Sequence, residues 1–194
     1  MQIQKKEIRD KIIISATEVF AQNGYKGASL REIAKSAGVT AGNIYSYFKS
    51  KSALFEAVLK DTLIVASKFI ADIPNEGPLT RQSVKNIAES ITGFFLTNKS
   101  QFIILTLKAQ GSKFEGVKEM MTQAISARLF KEYFSPYGYK DELLARAYAH
   151  SFFSGIIDIF VNYGEDEERL KGLVDDFTGL MFYTAPIFTP GRAE

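Results

Sequence analysis

The sequence predicts an all-α protein of about nine helices, and three observations support this class. Apolar residues recur every three or four positions in one segment after another, which is the spacing of a helix with one buried face. Two short segments within residues 29–48 carry helix caps on either side of a tight turn. The apolar run FIILTL at 102–107 could form a strand, but its neighbours are helical and offer no partner strand, so we predict a helix there.

The helix boundaries follow from residues that start or stop a helix. Asn23-Gly24 ends the first helix, Pro74 ends the fourth, Gly111 ends the sixth, and SPYGY at 135–139 forms a turn before the last two. The predicted helices therefore cover about 6–22, 29–37, 40–48, 52–73, 80–95, 102–110, 114–134, 141–163 and 167–184.

Residues 29–51, SLREIAKSAGVTAGNIYSYFKSK, form the best-defined motif in the chain. Ser29 and Glu32 have the spacing of a capping box, in which the hydroxyl accepts from the Glu32 amide and the carboxylate accepts from the Ser29 amide. Gly38 suits the left-handed residue that ends a helix, and Thr40 can cap the next helix at once. Two capped helices separated by so short a turn are the pattern of a helix-turn-helix.

The second helix of this motif has two chemically different faces. Ile44 and Phe48 lie four residues apart and face inward, whereas Gly42, Asn43 and Ser46 lie on the opposite side. An exposed helical glycine costs roughly 1 kcal/mol relative to alanine, and close approach of the backbone to another surface would explain its presence. An asparagine amide can pair with the edge of adenine in the major groove. The motif therefore predicts a recognition helix for double-stranded DNA.

The stretch from Ile12 to Leu59 resembles the N-terminal DNA-binding domain of the TetR family of transcriptional regulators. The resemblance lies in the NGYKGAS turn, the IAKSAGV core and the VTAGNIYSYFKSKSALFEAV run. One departure is Ala53, where members commonly carry a glutamate that completes the cap of the next helix. The resemblance implies a recognition helix from Thr40, phosphate contacts from Ser29, Arg31, Tyr47 and Lys51, and base-facing positions at Ala41, Gly42, Asn43 and Tyr45.

Charge is distributed unevenly along the 194 residues. Residues 1–51 hold nine Lys/Arg and four Asp/Glu, a net +5, whereas the remainder holds fifteen and eighteen, a net −3, and the two sum to +2. A basic segment joined to a mildly acidic one is typical of a nucleic-acid-binding module attached to a module of another kind. Ordinary fluctuation of surface charge would give a similar imbalance, so charge alone leaves the class open.

Composition and spacing argue against several other classes. The chain has no cysteine, which excludes disulfides and thiolate metal sites. The charged N-terminus lacks the apolar segment of a signal peptide, and no run approaches the roughly 18 apolar residues of a membrane span, so we expect a cytoplasmic protein. His150 cannot form a triad with Ser154 and Asp158, because eight residues of helix rise about 12 Å. We therefore expect no enzyme activity, no metal and no cofactor.

The C-terminal part, residues 54–194, is expected to bind a ligand and to dimerise, and a long helix joins it to the DNA-binding domain of residues 1–53. Most of the 16 phenylalanines and nine tyrosines follow residue 68. They could line an apolar ligand cavity, or they could simply form the core. The candidate ligand-binding residues are Phe94, Phe95, Phe102, Met121, Phe130, Phe134, Tyr148 and Phe152.

A single short helix reads only a few base pairs, and specific readers of this kind double the site through two-fold symmetry, with half-sites about 34 Å apart. A four-helix bundle made from the last two helices of each subunit would supply the symmetry axis. Packing within the monomer is the plain alternative for these helices. The candidate interface residues are Ser151, Gly155, Ile159, Val174, Phe177 and Met181.

The sequence thus favours a DNA-binding transcriptional regulator. The resemblance implies a homodimeric repressor that leaves a palindromic operator when a small apolar or amphipathic molecule enters its C-terminal part. One alternative is an architectural or scaffolding protein that holds DNA without ligand control. A further alternative is an all-α enzyme acting on an apolar substrate, which the missing catalytic motifs disfavour.

Overall fold

The computed structural model describes residues 2–72 and 80–183, with side chains from Lys5 to Lys68 and from Thr80 to Tyr183. These residues contain no strand, and the predicted all-α class is confirmed. The predicted helix ends at Ile73 and Thr184 lie outside the described residues. The helices are α1 (Gln2–Gly27), α2 (Leu30–Ala37), α3 (Ala41–Tyr47), α4 (Lys51–Asp72), α5 (Arg81–Leu107), α6 (Val117–Leu129), α7 (Glu142–Asn162) and α8 (Glu167–Tyr183).

The nine predicted helices correspond to eight in the described residues, because the two predicted within 80–110 meet at a kink and are joined as α5. The apolar run at 102–107 is helical, as predicted, and it continues α5 past Asn98, whose φ of −126° and ψ of 26° interrupt the helix. The Thr62 hydroxyl donates to Asn98 Oδ1 at 3.2 Å. At the start of α5, the Ser83 amide donates to Thr80 Oγ1 at 3.1 Å and the Thr80 amide donates to Ser83 Oγ at 2.9 Å, a reciprocal cap.

The described chain divides into two compact units, and the first contains the residues up to Ser67 together with Asn98–Lys118. This division differs from the predicted boundary between residues 53 and 54. The physical reason is burial, because Leu54 and Phe55 of α4 are at most 1% exposed within the core of this unit. Ile104 and Leu105, from the far half of α5, are at most 2% exposed in the same core.

Gly24 brings the end of α1 into contact with the segment that follows α5. Its φ of 67° breaks the helix where Asn23-Gly24 was predicted to end it. The next amide, of Tyr25, donates to the Lys108 carbonyl at 2.8 Å. A Cβ on Gly24 would lie 3.3 Å from that carbonyl oxygen, so both the positive φ and the close approach favour glycine here.

The second unit contains Lys68–Thr97 and the residues from Glu119 onward. Phe95 of α5 stacks on Phe160 of α7, with ring centroids 3.8 Å apart. After α6 the chain forms a single π-helical turn at Phe130–Phe134 and a 3-10 turn at Ser135–Tyr137. One face of α8 is fully buried, and it consists of Leu170, Val174 and Thr178.

α7 and α8 pack at close range. Asp141 caps α7 by accepting from the Leu143 amide at 2.8 Å, and Asp166 caps α8 by accepting from the Arg169 amide at 3.0 Å. A Cβ built on Gly155 of α7 would lie only 2.4 Å from Cζ of Phe177 on α8. The absence of a side chain at position 155 therefore allows this ring to approach the α7 backbone.

Among the described helices, none combines the length and apolar character required to cross a lipid bilayer.

Candidate nucleic-acid interface

The helix-turn-helix has the geometry that its sequence predicts. The Glu32 amide donates to Ser29 Oγ at 3.2 Å at the start of α2, and Gly38 ends this helix with a φ of 63°. The Asn43 amide then donates to Thr40 Oγ1 at 3.2 Å at the start of α3. The predicted return bond from the Ser29 amide to the Glu32 carboxylate is not made within the described residues, and the carboxylate instead accepts from Asn23 Nδ2 at 2.6 Å. This second contact ties α2 to the end of α1.

One side of α3 is anchored and the other is open to solvent. Ile44 is fully buried and Phe48 is 5% exposed, as predicted for the inward positions. Gly42, Asn43 and Ser46 are exposed on the outer side, and Tyr45 is 59% exposed. A tyrosine this accessible presents both a ring and a hydroxyl to an incoming surface. The outer face of α3, which we define by Gly42, Asn43, Tyr45 and Ser46, is therefore available for contact with a partner.

Several polar groups on and beside this face can still form hydrogen bonds with a partner. Within the described residues, the Asn43 side-chain amide and the hydroxyls of Tyr45 and Tyr47 make no hydrogen bond. The hydroxyls of Ser29 and Thr40 accept the two cap bonds, which leaves each O–H proton free to donate. These groups can donate to phosphate oxygens or to base edges without breaking a bond of the fold. Among the other predicted contacts, Arg31 is exposed and Ala41 is half-buried.

Lys51 has a structural role that the sequence did not suggest. Its Nζ donates to the carbonyls of Tyr25 and Ala28, at 2.8 and 3.0 Å, and lies 4.5 Å from the centroid of the Tyr25 ring. Two of its three N–H groups thus close the turn between α1 and α2. No local signal could have revealed this, because the two carbonyls lie 26 and 23 residues earlier in the chain.

Ser50 has a structural role that was not predicted. It caps α4, since the Ala53 amide donates to Ser50 Oγ at 3.1 Å, so the helix begins one residue before the predicted Ser52. Ala53 occupies the position from which a glutamate could return to the cap. The spacing of Ser50 and Ala53 was the available signal, and it was weak because alanine contributes no carboxylate.

The predicted ligand-binding residues divide between the two units. Phe102 belongs to the first unit, where it is 4% exposed. In the second unit the rings of Phe134, Tyr148, Phe182 and Phe152 form a continuous series, with successive centroids 6.1, 6.1 and 5.2 Å apart. Phe182 was not predicted. The remaining candidates in the second unit, Phe94, Phe95, Met121 and Phe130, are buried or half-buried.

Two polar groups lie on or beside this aromatic series. Tyr148 donates its hydroxyl to the Met181 carbonyl, and burial raises the pKa of this phenol, which keeps it neutral at ordinary pH. Thr178 lies one helical turn before Phe182 on the buried face of α8. Its hydroxyl is fully buried and has no hydrogen-bond partner within the described residues. A buried hydroxyl without a partner is unfavourable, so this position is a candidate contact for a polar group of a ligand.

The predicted interface residues differ in their exposure to solvent. Val174 is fully buried within a single chain, so it does not lie on a surface open to a partner. Ser151 is exposed, whereas Gly155, Ile159, Phe177 and Met181 are half-buried. Apolar side chains that were not predicted are more accessible on these two helices, namely Val161 at 52%, Leu173 at 36% and Leu180 at 65%.

The described residues contain no group of three or more His, Cys, Asp or Glu side chains arranged to hold a metal ion.

Comparison with known proteins agrees with this geometry. Residues 12–58 match the family of bacterial regulatory proteins designated tetR. The transcriptional repressor BepR of Brucella suis is 30% identical over 117 residues, which are 57% of this chain and 53% of that repressor. The chain thus spans about half the length of this curated relative.

Two solved structures share the fold over most of both chains. A TetR-family transcriptional regulator from Bordetella parapertussis gives a TM-score of 0.71 at 19% identity, covering 90% of this chain and 93% of that one. The regulator FadR from Bacillus subtilis, solved in complex with stearoyl-CoA, gives 0.59 at 21% identity, covering 88% and 96%. Residues 12–58 thus form the N-terminal domain of the tetR family of bacterial regulatory proteins, and the chain as a whole shares the fold of these two solved regulators.

Proposed function

We propose that the protein is a sequence-specific DNA-binding transcriptional regulator, a homodimeric repressor that a small molecule releases from a palindromic operator. The observation that carries this proposal is the outer face of α3, where Gly42, Asn43 and Tyr45 are exposed while Ile44 anchors the helix. Relatives of the chain are transcriptional regulators, and we propose no catalytic role for it. Because its relatives are bacterial regulators and its proposed target is DNA, we place its site of action in the cytoplasm.

The short length of α3, seven residues, favours a dimer, because one such helix reads only a few base pairs. Two copies held about 34 Å apart would place their recognition helices in successive turns of the major groove. The exposed Val161, Leu173 and Leu180 provide apolar area for pairing α7 and α8 with the same helices of a partner. In this proposal residues 1–53 contact DNA, and residues 54–194 bind the ligand and dimerise.

The ligand in this proposal is apolar or amphipathic. The series Phe134, Tyr148, Phe182 and Phe152 provides the apolar wall, and the unpartnered Thr178 hydroxyl offers one hydrogen bond. A ligand that binds one spacing of the two recognition helices better than the other shifts the dimer toward that spacing. DNA and ligand must then weaken each other's binding by one common factor.

The decisive experiment is selection of bound DNA from a random pool, repeated in the presence of candidate amphipathic molecules. We expect enrichment of a palindrome whose half-sites are one or more helical turns apart, and loss of binding with the correct ligand. Enrichment without any ligand effect would favour an architectural DNA-binding protein. Failure to enrich any sequence would contradict the proposal.

Asn43→Ala should relax base discrimination at one position of each half-site. A well-placed asparagine contact contributes about 1–3 kcal/mol of preference for its base, and removal of the amide removes that preference. The measurement is the relative affinity for a set of operators, each changed at one base pair. Equal loss of affinity for every operator would show that Asn43 contacts the backbone and not a base.

Lys51→Met should lower both the stability of the first unit and the affinity for DNA. The variant keeps the apolar stem beside the Tyr25 ring but removes the donors to two carbonyls, at a cost of about 2 kcal/mol in the free energy of unfolding. If the third N–H also contacts a phosphate, the salt dependence of binding falls by about one unit of slope.

The matched control is Lys49→Met, because Lys49 is exposed and makes no hydrogen bond or ion pair within the described residues. This variant should leave the denaturation midpoint unchanged. An unaltered midpoint in Lys51→Met as well would mean that the two carbonyl contacts contribute nothing to stability.

A further inference from the structure

A cavity of about 510 Å³ lies between the first half of α5 and α8, within the second unit. A volume of this size falls within the rough range of 300–1,000 Å³ that small-molecule sites occupy. Two charged side chains of opposite sign line it on each helix, Lys85 and Glu89 on α5 and Lys171 and Asp175 on α8. None of the aromatic candidates for the apolar ligand lines this cavity. It is therefore a separate space with a different chemistry.

The two helices run in opposite directions along the cavity. Tyr183, at the C-terminal end of α8, donates its hydroxyl to the carbonyl of Arg81, at the N-terminal end of α5, at 2.9 Å. Glu89 follows Arg81 by eight residues and Asp175 precedes Tyr183 by eight, so these carboxylates lie at about the same level on opposite walls. The same counting places Lys171 across from Gly93, one turn further along.

The level of Glu89 and Asp175 is suited to a cation. Within the described residues, neither carboxylate makes a hydrogen bond or an ion pair. Both carboxylates line the same cavity from opposite walls, so a cation placed between them would be attracted to both. An ammonium group has three N–H donors and can donate to both.

The level of Lys171 and Thr92 is suited to an anion. Thr92 lines the cavity and is only 4% exposed, yet its hydroxyl makes no hydrogen bond within the described part of the chain. Lys171 Nζ donates to Glu168 at 2.6 Å, and this hydrogen bond raises the pKa of the lysine, which therefore stays charged at ordinary pH. Two further N–H groups of Lys171 can donate elsewhere.

Two glycines keep the wall between these levels open. A Cβ added to Gly93 or to Gly172 would meet nothing within 4 Å. A large side chain at either position would extend into this empty space and could fill part of the cavity.

We propose that this cavity binds a small zwitterion, an ω-amino carboxylate whose ammonium lies between Glu89 and Asp175 and whose carboxylate accepts from Lys171 and Thr92. The four steps from Lys171 to Asp175 rise about 6 Å along α8, which matches the distance between the charged ends of a five-carbon chain. Ala88 and Leu96, which also line the cavity, offer apolar contacts to the methylene groups between the ends.

The test is calorimetric titration of the full chain with 5-aminopentanoate, and with pentanoate and pentylamine as probes that each carry one of its charges. We expect saturable binding of the zwitterion in the millimolar range or tighter, and binding of each single-charge probe weaker by about tenfold or more. Equal binding of all three probes, or no saturable binding of 5-aminopentanoate, would overturn the proposal.

Variants of one position test the location of the site. Gly172→Leu should abolish binding because its side chain fills the cavity, whereas Gly172→Ala should retain it. Both substitutions meet open space, so both variants should keep the helical circular dichroism spectrum and the denaturation midpoint or raise it. Asp175→Asn should weaken the binding of 5-aminopentanoate by about tenfold and leave the binding of pentanoate unchanged. Unchanged binding of 5-aminopentanoate to Gly172→Leu would place the ligand elsewhere and overturn the assignment.

Discussion

Gly42→Leu should make the free protein slightly more stable while weakening its binding to the operator by at least about tenfold. A Cβ at this position would meet only Thr40 Oγ1, at 3.8 Å, so the free protein has room for a side chain. Replacing a helical glycine by a better helix former contributes up to about 1 kcal/mol. The DNA complex behaves oppositely, because a leucine on the outer face of α3 would hold the helix backbone away from the groove.

The measurements are urea denaturation of the free protein and the affinity for the selected operator. Gly42→Ala is the graded control, since its single methyl group should give a smaller loss of affinity and a similar gain in stability. An unchanged operator affinity in Gly42→Leu would show that this part of α3 does not approach the DNA closely. That result would remove the physical reason for the exposed glycine.

Gly155→Val should destabilise the second unit by about 3 kcal/mol, at the upper end of the cost of overpacking a core. The added Cβ would lie 2.4 Å from Cζ of Phe177 and 2.9 Å from its Cε1, distances at which an atom must move. Phe177 has little freedom to do so, because its ring stacks on Phe152 with centroids 5.8 Å apart and planes at 6°. The measurement is the denaturation midpoint of the full chain.

A double-mutant cycle identifies the cause of that loss. Phe177→Ala removes the ring that the valine meets, so the loss in the doubly substituted chain should be smaller than the sum of the two single losses by at least about 1 kcal/mol. Gly172→Val is the matched control on α8, because its Cβ meets nothing within 4 Å and should cost little. Additive losses from Gly155→Val and Phe177→Ala would mean that the ring is not the obstacle.

The sequence predicted the helix-turn-helix well because its signals are local. Ser29, Gly38 and Thr40 act on backbone groups within a few residues of themselves, so their roles are visible in a short window. The inward positions Ile44 and Phe48 follow from helical spacing in the same way. The positions of helices in the rest of the chain were also predictable, since periodicity and turn residues are properties of short segments.

Features that depend on distant residues could not be read in this way. Lys51 was predicted only as a phosphate contact, and its bonds to Tyr25 and Ala28 follow from the tertiary fold. Two helices were predicted within residues 80–110, and they meet directly at a kink at Asn98, a junction that helical spacing does not specify. The cavity lined by Glu89 and Asp175 needs two helices that are far apart in the sequence, α5 and α8, and no spacing rule brings them together.

Residues Asn98–Lys118 belong to the first unit, and this limits how the unit can be fused to another protein. A chimera that grafts only residues 1–53 onto another effector domain would lack Leu54, Phe55, Ile104 and Leu105, all of which lie in the core of the first unit. It would also lose the bond between the Tyr25 amide and the Lys108 carbonyl. The residues that build the first unit are therefore not contiguous in the sequence. Transfer of the proposed operator preference to a new sensor requires two separate stretches of chain.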